Sequence, residues 1–129
     1  MSAWTHVAGI IRLNDFRHLS GSTKESVLSA VLSDIPIGSE GPLSVKIVEN
    51  PNKSHIAAYD TMVFGDLRGH ESPDPVIDWF KALHARLRIE SMPHVRQAII
   101  HIDVEYGEKL VVIADIDEVT IVKVGDGDE

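Results

Sequence analysis

Three side chains that can bind metal ions alternate along one apolar segment. His101, Asp103 and Glu105 are separated by Ile102 and Val104, so in a strand all three point to the same face. Alternate side chains of a strand stand about 7 Å apart, whereas metal–ligand bonds measure about 2.0–2.2 Å. The three residues are therefore a weak metal-site candidate that needs help from a neighbouring strand. The alternative is the polar face of a half-solvated sheet.

A carboxylate, Asp60, interrupts a second apolar segment. In a strand it shares one face with Ala58, Met62 and Phe64. If that face packed against helices, Asp60 would be a buried carboxylate that needs a partner, and such groups are candidates for functional sites. The alternative is a bulged or slipped strand that turns Asp60 outward.

No motif in the chain identifies a reaction. The sequence contains no cysteine, which excludes disulfides, thiolate catalysis and cysteine-based zinc sites. Serine nucleophile elbows, phosphate-binding loops, dinucleotide fingerprints and the His-Glu-x-x-His zinc pattern are also absent. We therefore assign no catalytic residue, metal or cofactor from the sequence. The lack of a catalytic motif favours a protein that is not an enzyme, and the sequence does not decide between the two.

Apolar alternation and β-branched residues predict the segments that position these side chains. Strands favour Val, Ile, Thr and aromatic residues, and turn residues separate the runs. The predicted strands cover residues 4–13, 43–48, 54–66 and 96–105, and two further apolar runs cover residues 109–114 and 119–124.

Two helices are predicted between the strands. Ser22 and Glu25 form a capping-box pattern ahead of a helical apolar stripe. Asp74 and Pro75 open a second helix, whose apolar stripe is the clearest in the chain and which ends before Pro93. The order of elements is thus β-α-β-β-α-β, followed by one or two strands.

That order is typical of ferredoxin-like folds. We predict an α+β fold, a ferredoxin-like β-α-β-β-α-β sandwich. Its antiparallel sheet would carry two helices on one face and would be extended by one or two C-terminal strands. Residues 1–124 are predicted to form a single domain, and residues 125–129 an acidic disordered tail.

In such a fold, one end of the sheet gathers basic residues around the start of the first helix. Free backbone N–H groups and the helix dipole favour an anion there, and arginines would add forked donors. The alternative is a helix that is only capped by Ser22, with solvated basic residues around it. The candidate anion-binding set is Arg17, His18, Ser20, Gly21, Ser22, His94 and Arg96.

The negative charge is concentrated at the C-terminal end of the sequence. The formal net charge is −8, of which residues 103–129 contribute −7 and residues 1–102 only −1. The pI of about 5.3 argues against broad nucleic-acid binding, although a small anionic ligand is still compatible with the nearly neutral body. No apolar run reaches membrane-spanning length and no signal-peptide pattern occurs, so we expect a cytoplasmic protein with no membrane contact.

The last two apolar runs contain more Val and Ile than one added strand needs to bury. An exposed apolar edge invites pairing with another chain, which predicts a homo-oligomer or a protein partner. We therefore favour a non-enzymatic binding or assembly module that self-associates or docks on a protein partner. One alternative is an anion- or nucleotide-binding regulatory domain that uses the basic end. A second is a small enzyme with a pocket between sheet and helices.

Overall fold

Eight strands and two helices make up the part of the chain that the structure describes. The computed structural model describes residues 3–16, 23–50, 56–89 and 93–125. In chain order the elements are β1 (Trp4–Phe16), α1 (Lys24–Leu32), β2 (Ile37–Gly38), β3 (Gly41–Pro42), β4 (Ser44–Asn50), β5 (Ile56–Arg68), α2 (Asp74–Ile89), β6 (His94–Val104), β7 (Lys109–Ala114) and β8 (Val119–Gly125).

Six of the strands form one sheet in the order β4-β5-β1-β6-β7-β8. Every neighbouring pair in it is antiparallel. The short strands β2 and β3 pair separately as a two-stranded ribbon. Because β1 lies between β5 and β6, both of its edges are hydrogen-bonded along most of its length, and it is the centre of the fold.

The helices cover one face of this sheet. Alternate β1 residues such as Val7 and Ile11 are buried, and they share one apolar cluster with Val31 of α1 and with Phe80 and Leu83 of α2. Burying each large apolar side chain of this kind stabilises the fold by about 1.5–3 kcal/mol. The strands therefore have a packed face and a face that turns away from the helices, which we call the open face.

Side chains of helix α2 also donate hydrogen bonds to backbone carbonyl groups at the C-terminal end of α1. The last four carbonyl groups of a helix have no partner within the helix. Two of them are used here: Trp79 Nε1 donates to the carbonyl of Val31 at 3.1 Å, and Arg86 Nη2 donates to that of Ala30 at 2.6 Å. Neither described helix is long and apolar enough to cross a membrane.

The start of α1 differs from the predicted capping box. The N-cap is Thr23, whose Oγ1 accepts the backbone N–H of Ser26 at 3.1 Å, while Ser26 Oγ accepts the N–H of Thr23 at 2.9 Å. Serine replaces the usual Glu or Gln at the third helical position. The predicted pairing of Ser22 with Glu25 was therefore wrong by one residue.

The ferredoxin-like β-α-β-β-α-β prediction is wrong. The observed order is β-α-β-β-β-β-α-β-β-β, and most of the chain is antiparallel sheet with only two helices among the described residues. Residues 37–42 pair as β2 and β3, and the Ser39 N–H donates to the carbonyl of Arg68 at 3.0 Å. Strands β7 and β8 belong to the main sheet, and Leu110 and Val112 of β7 are buried in the same core.

The close packing at the centre of the sheet leads to a stability prediction. A Cβ atom added at Gly9 would lie 2.7 Å from the Cα of Ile100 and 2.7 Å from the carbonyl oxygen of Ile99. We expect Gly9→Ala to lower the free energy of unfolding by about 1–3 kcal/mol, as overpacking does, in urea denaturation. Gly107→Ala is the control, because its Cβ would be no closer than 3.2 Å to Val104. An equal loss in both variants would contradict this assignment.

Candidate functional site

The open face of the sheet carries a row of apolar side chains. Met62, Ile10, Ile99 and Ile113 lie side by side on β5, β1, β6 and β7, because the register places each one opposite the next. Ile10, Ile99 and Ile113 are 49%, 45% and 44% exposed. A continuous exposed apolar patch of this kind marks a binding surface more often than single exposed residues do.

An open groove of about 1130 Å³ runs over this apolar row. Its volume is slightly above the range of roughly 300–1,000 Å³ that small-molecule sites have. Polar and charged side chains gather at one end of it, from β1, β5, β6 and the turn between β7 and β8. We take this groove as the candidate site, and its polar lining includes Arg12, Asn14, Asp60, Arg96, Gln97 and Asp115.

Asp60 is held by Arg12 within the groove. The two residues are directly opposite each other on β5 and β1, and Arg12 donates from Nε and Nη2 to the two carboxylate oxygens at 2.8 and 3.1 Å. These hydrogen bonds raise the pKa of Arg12 above its ordinary value. The neighbours Tyr59 and Thr61 fill the packed face. Asp60 is therefore a paired carboxylate on the open face, 26% exposed, and not one inside the core.

A β-bulge in β6 turns Arg96 toward the groove. Arg12 pairs with Gln97 and Leu13 pairs with Val95, so Arg96 is the extra residue. Val95 is buried, whereas Arg96 and Gln97 are both exposed and both line the groove. Bulges commonly redirect a side chain in this way beside functional sites.

The turn between β7 and β8 borders the groove with a carboxylate that the backbone holds. Asp115 Oδ1 accepts the N–H groups of Glu118 and Asp117, each at 2.8 Å. These two bonds, the one from Glu118 first, lower the pKa of Asp115 below its ordinary value. The buried His84 donates from Nε2 to the backbone carbonyl of Asp115 at 2.8 Å, which ties the turn to α2.

The predicted anion-binding set is only partly within the described residues. Arg96 lies at the groove, and His94 begins β6 opposite Asn14. These two residues are thus close together. Helix α1 starts after Thr23, and the side chain of Thr23 itself accepts the N–H of Ser26. The five other residues of the set lie outside the described residues: Arg17, His18, Ser20, Gly21 and Ser22.

The metal-site candidates do not converge. His101 has apolar neighbours in register, Ala8 on one side and Val111 on the other. Asp103 lies two residues further along β6, and Glu105 follows the end of the strand. Within the described ranges, no group of three His, Asp or Glu side chains is placed to hold a metal ion.

Two polar residues of the groove gave no signal in the sequence. Asn14 and Gln97 are polar residues at the ends of apolar segments, where turns and strand ends commonly place such side chains. Only the register of β1 with β6, and the bulge within it, brings them to one site.

Comparison with known proteins identifies no family for this chain. No protein-family model and no curated protein matches it. Among solved structures, a phage SAM lyase in complex with S-methyl-5'-thioadenosine is similar, with 15% sequence identity and a TM-score of 0.46. The match covers 92% of this chain and 90% of that one. At this level the likeness carries no inference about function.

The hydrogen bonds of Asp115 lead to a prediction about pH. Because its pKa is lowered in the folded state, its stabilising effect is full above the ordinary value of 3.8 and is lost as the pH falls through the folded value. We expect Asp115→Asn to be less stable than the parent protein at pH 6, with the difference shrinking below about pH 3.8. Thermal unfolding across this range measures it, and a difference that stays constant with pH would contradict it.

Proposed function

We propose that this protein is a non-enzymatic assembly module that pairs with a second copy of itself along β8. The observation that carries this proposal is the exposed apolar edge that β8 forms. It is the last strand of the sheet, and its side chains Ile121, Val122 and Val124 are 38%, 44% and 66% exposed. An edge strand that is apolar on both faces favours pairing with another strand.

The opposite edge of the sheet supports the choice of β8. Strand β4 carries the exposed charged residues Lys46 and Glu49, and charges of this kind commonly protect an edge from pairing. In β8 the corresponding charge is Lys123, whose Nζ lies 3.5 Å from a carboxylate oxygen of Glu108 in the same chain. Its charge is therefore partly compensated within the sheet.

A second copy is the partner that the sequence of β8 fits. Two antiparallel copies related by a two-fold axis at Val122 would place Val122 opposite itself and Thr120 opposite Val124. No like charges face each other directly in this arrangement. Such pairing would satisfy the outer N–H and C=O groups of β8 and continue the sheet across both copies.

Two of the described histidines, His70 and His84, support a structural role over a catalytic one. His70 Nε2 donates to the carbonyl of Ile37 at 3.0 Å, and His84 donates to that of Asp115. A ring nitrogen that holds a backbone carbonyl positions a loop and is not available as a general base.

Two substitutions on β8 test the proposal. We expect the parent protein to elute with about twice the mass of the 14.2 kDa chain in size-exclusion chromatography with light scattering. The double variant Val122→Lys, Val124→Lys should be monomeric, because the ammonium group at position 122 would face its counterpart in the second copy, and the one at position 124 would add a further positive charge on the same strand pair.

Ile37→Lys is the matched control for this experiment. Ile37 is 65% exposed, almost the same as Val124, but it lies on the separate β2–β3 ribbon. It should leave the dimer intact. A parent protein that is monomeric at millimolar concentration, or a dimer that survives both substitutions in β8, would overturn the proposal.

A further inference from the structure

Two side chains of opposite charge line the groove on the open face outside its direct ion pairs. Arg12 is paired with Asp60, and the carboxylate of Asp115 is held by the turn. The side chains of Arg96 and Glu118 also line the groove. Within the described part of the chain, neither side chain makes a hydrogen bond or a direct ion pair, although the positive charge of Arg96 helps to lower the pKa of the nearby Asp115.

Asn14 adds to the groove a hydrogen-bond acceptor that receives no N–H or O–H donor from the described part of the chain. Its Oδ1 atom is buried and has no hydrogen-bond partner among the described residues, although Asn14 lines the groove. Buried polar atoms are nearly always paired, and an unpaired one reduces stability until a partner is supplied. A ligand with an N–H group would supply that partner.

The apolar row provides the remaining part of the site. Ile10 and Ile99 are directly opposite each other and almost half exposed, and Met62 extends the row on β5. Covering them with an apolar group removes that surface from water, which favours binding. The groove therefore combines an apolar surface with one guanidinium and one carboxylate that make no direct ion pair within the described ranges, and with one unpaired acceptor.

We propose that this groove binds a small zwitterion with an apolar body, the chemistry of an apolar α-amino acid. Arg96 takes the carboxylate with its forked N–H donors. Asn14 Oδ1 accepts an N–H of the ammonium group, and Glu118 supplies the balancing negative charge. The apolar body lies on Ile10 and Ile99. The acids around Arg96 disfavour ligands with several negative charges, because like charges repel.

The site lies within one chain, so it does not depend on pairing through β8. A continuous sheet formed by two copies would leave both grooves open on the same face. The two proposals can therefore fail separately, and binding is measured both in the parent protein and in the Val122→Lys, Val124→Lys variant.

Calorimetric titration with L-leucine and L-phenylalanine tests the proposal on the parent protein. We expect binding in the millimolar range or tighter. L-leucinamide, which lacks the carboxylate, and 4-methylpentanoate, which lacks the ammonium group, should each bind at least about tenfold more weakly, since hydrogen bonds to charged groups contribute that much. Absence of binding by both amino acids overturns the proposal, and so does equal binding of either analogue.

Variants locate the site. Arg96→Gln should weaken L-leucine binding by at least about tenfold, and Glu118→Gln should weaken it less, because Glu118 supplies only a balancing charge while Asn14 accepts the N–H of the ammonium group. Lys46→Gln is the control: it removes one positive charge from the same face of the sheet, outside the groove lining. Leucine binding that is unchanged in Arg96→Gln, or equally weakened in Lys46→Gln, would place the ligand elsewhere and overturn the assignment.

Discussion

The rest of the structure depends on β1 being paired along both edges while only one of its faces is buried. Val7 and Ile11 must face the helices, and since side chains alternate with a period of two, Ile10 and Arg12 must then face away. A slip of one residue would exchange these sets and expose the core. The close contact at Gly9 with β6 adds to this constraint, because a side chain there would separate the two strands.

The position of β1 decides what the open face contains. Its pairing with β5 brings Arg12 opposite Asp60, and its pairing with β6 brings Ile10 opposite Ile99. The bulge in β6 then adds Arg96 to the same surface. The apolar row and the charged end of the groove thus both follow from the registers of β1 with β5 and with β6. The burial of the packed face fixes these two registers. The buried stripe on one side and the candidate groove on the other are therefore coupled.

Local patterns in the sequence predicted the elements more reliably than their arrangement. The apolar stripe of α2 and the run at residues 109–114 correspond to observed elements, because periodicity reports directly on burial. Two short strands around Gly41 were not predicted, since a two-residue ribbon has no periodicity to detect. The ferredoxin-like assignment failed for a related reason: it treated β7 and β8 as additions to a smaller sheet, whereas Leu110 and Val112 contribute to the core.

For the candidate site, too, the sequence predicted local features, and the tertiary structure decided how they come together. The sequence alone determined that Arg96 is a basic residue at the start of an apolar strand, that Asp60 interrupts another, and that the C-terminal runs are rich in Val and Ile. Only the tertiary structure decided that Asp60 faces Arg12, that Arg96 stands on a bulge, and that β8 forms an edge. The physical reason is that partners such as Arg12 and Asp60 are 48 residues apart. Their pairing depends on which faces of distant strands are buried together, and no local propensity contains that information.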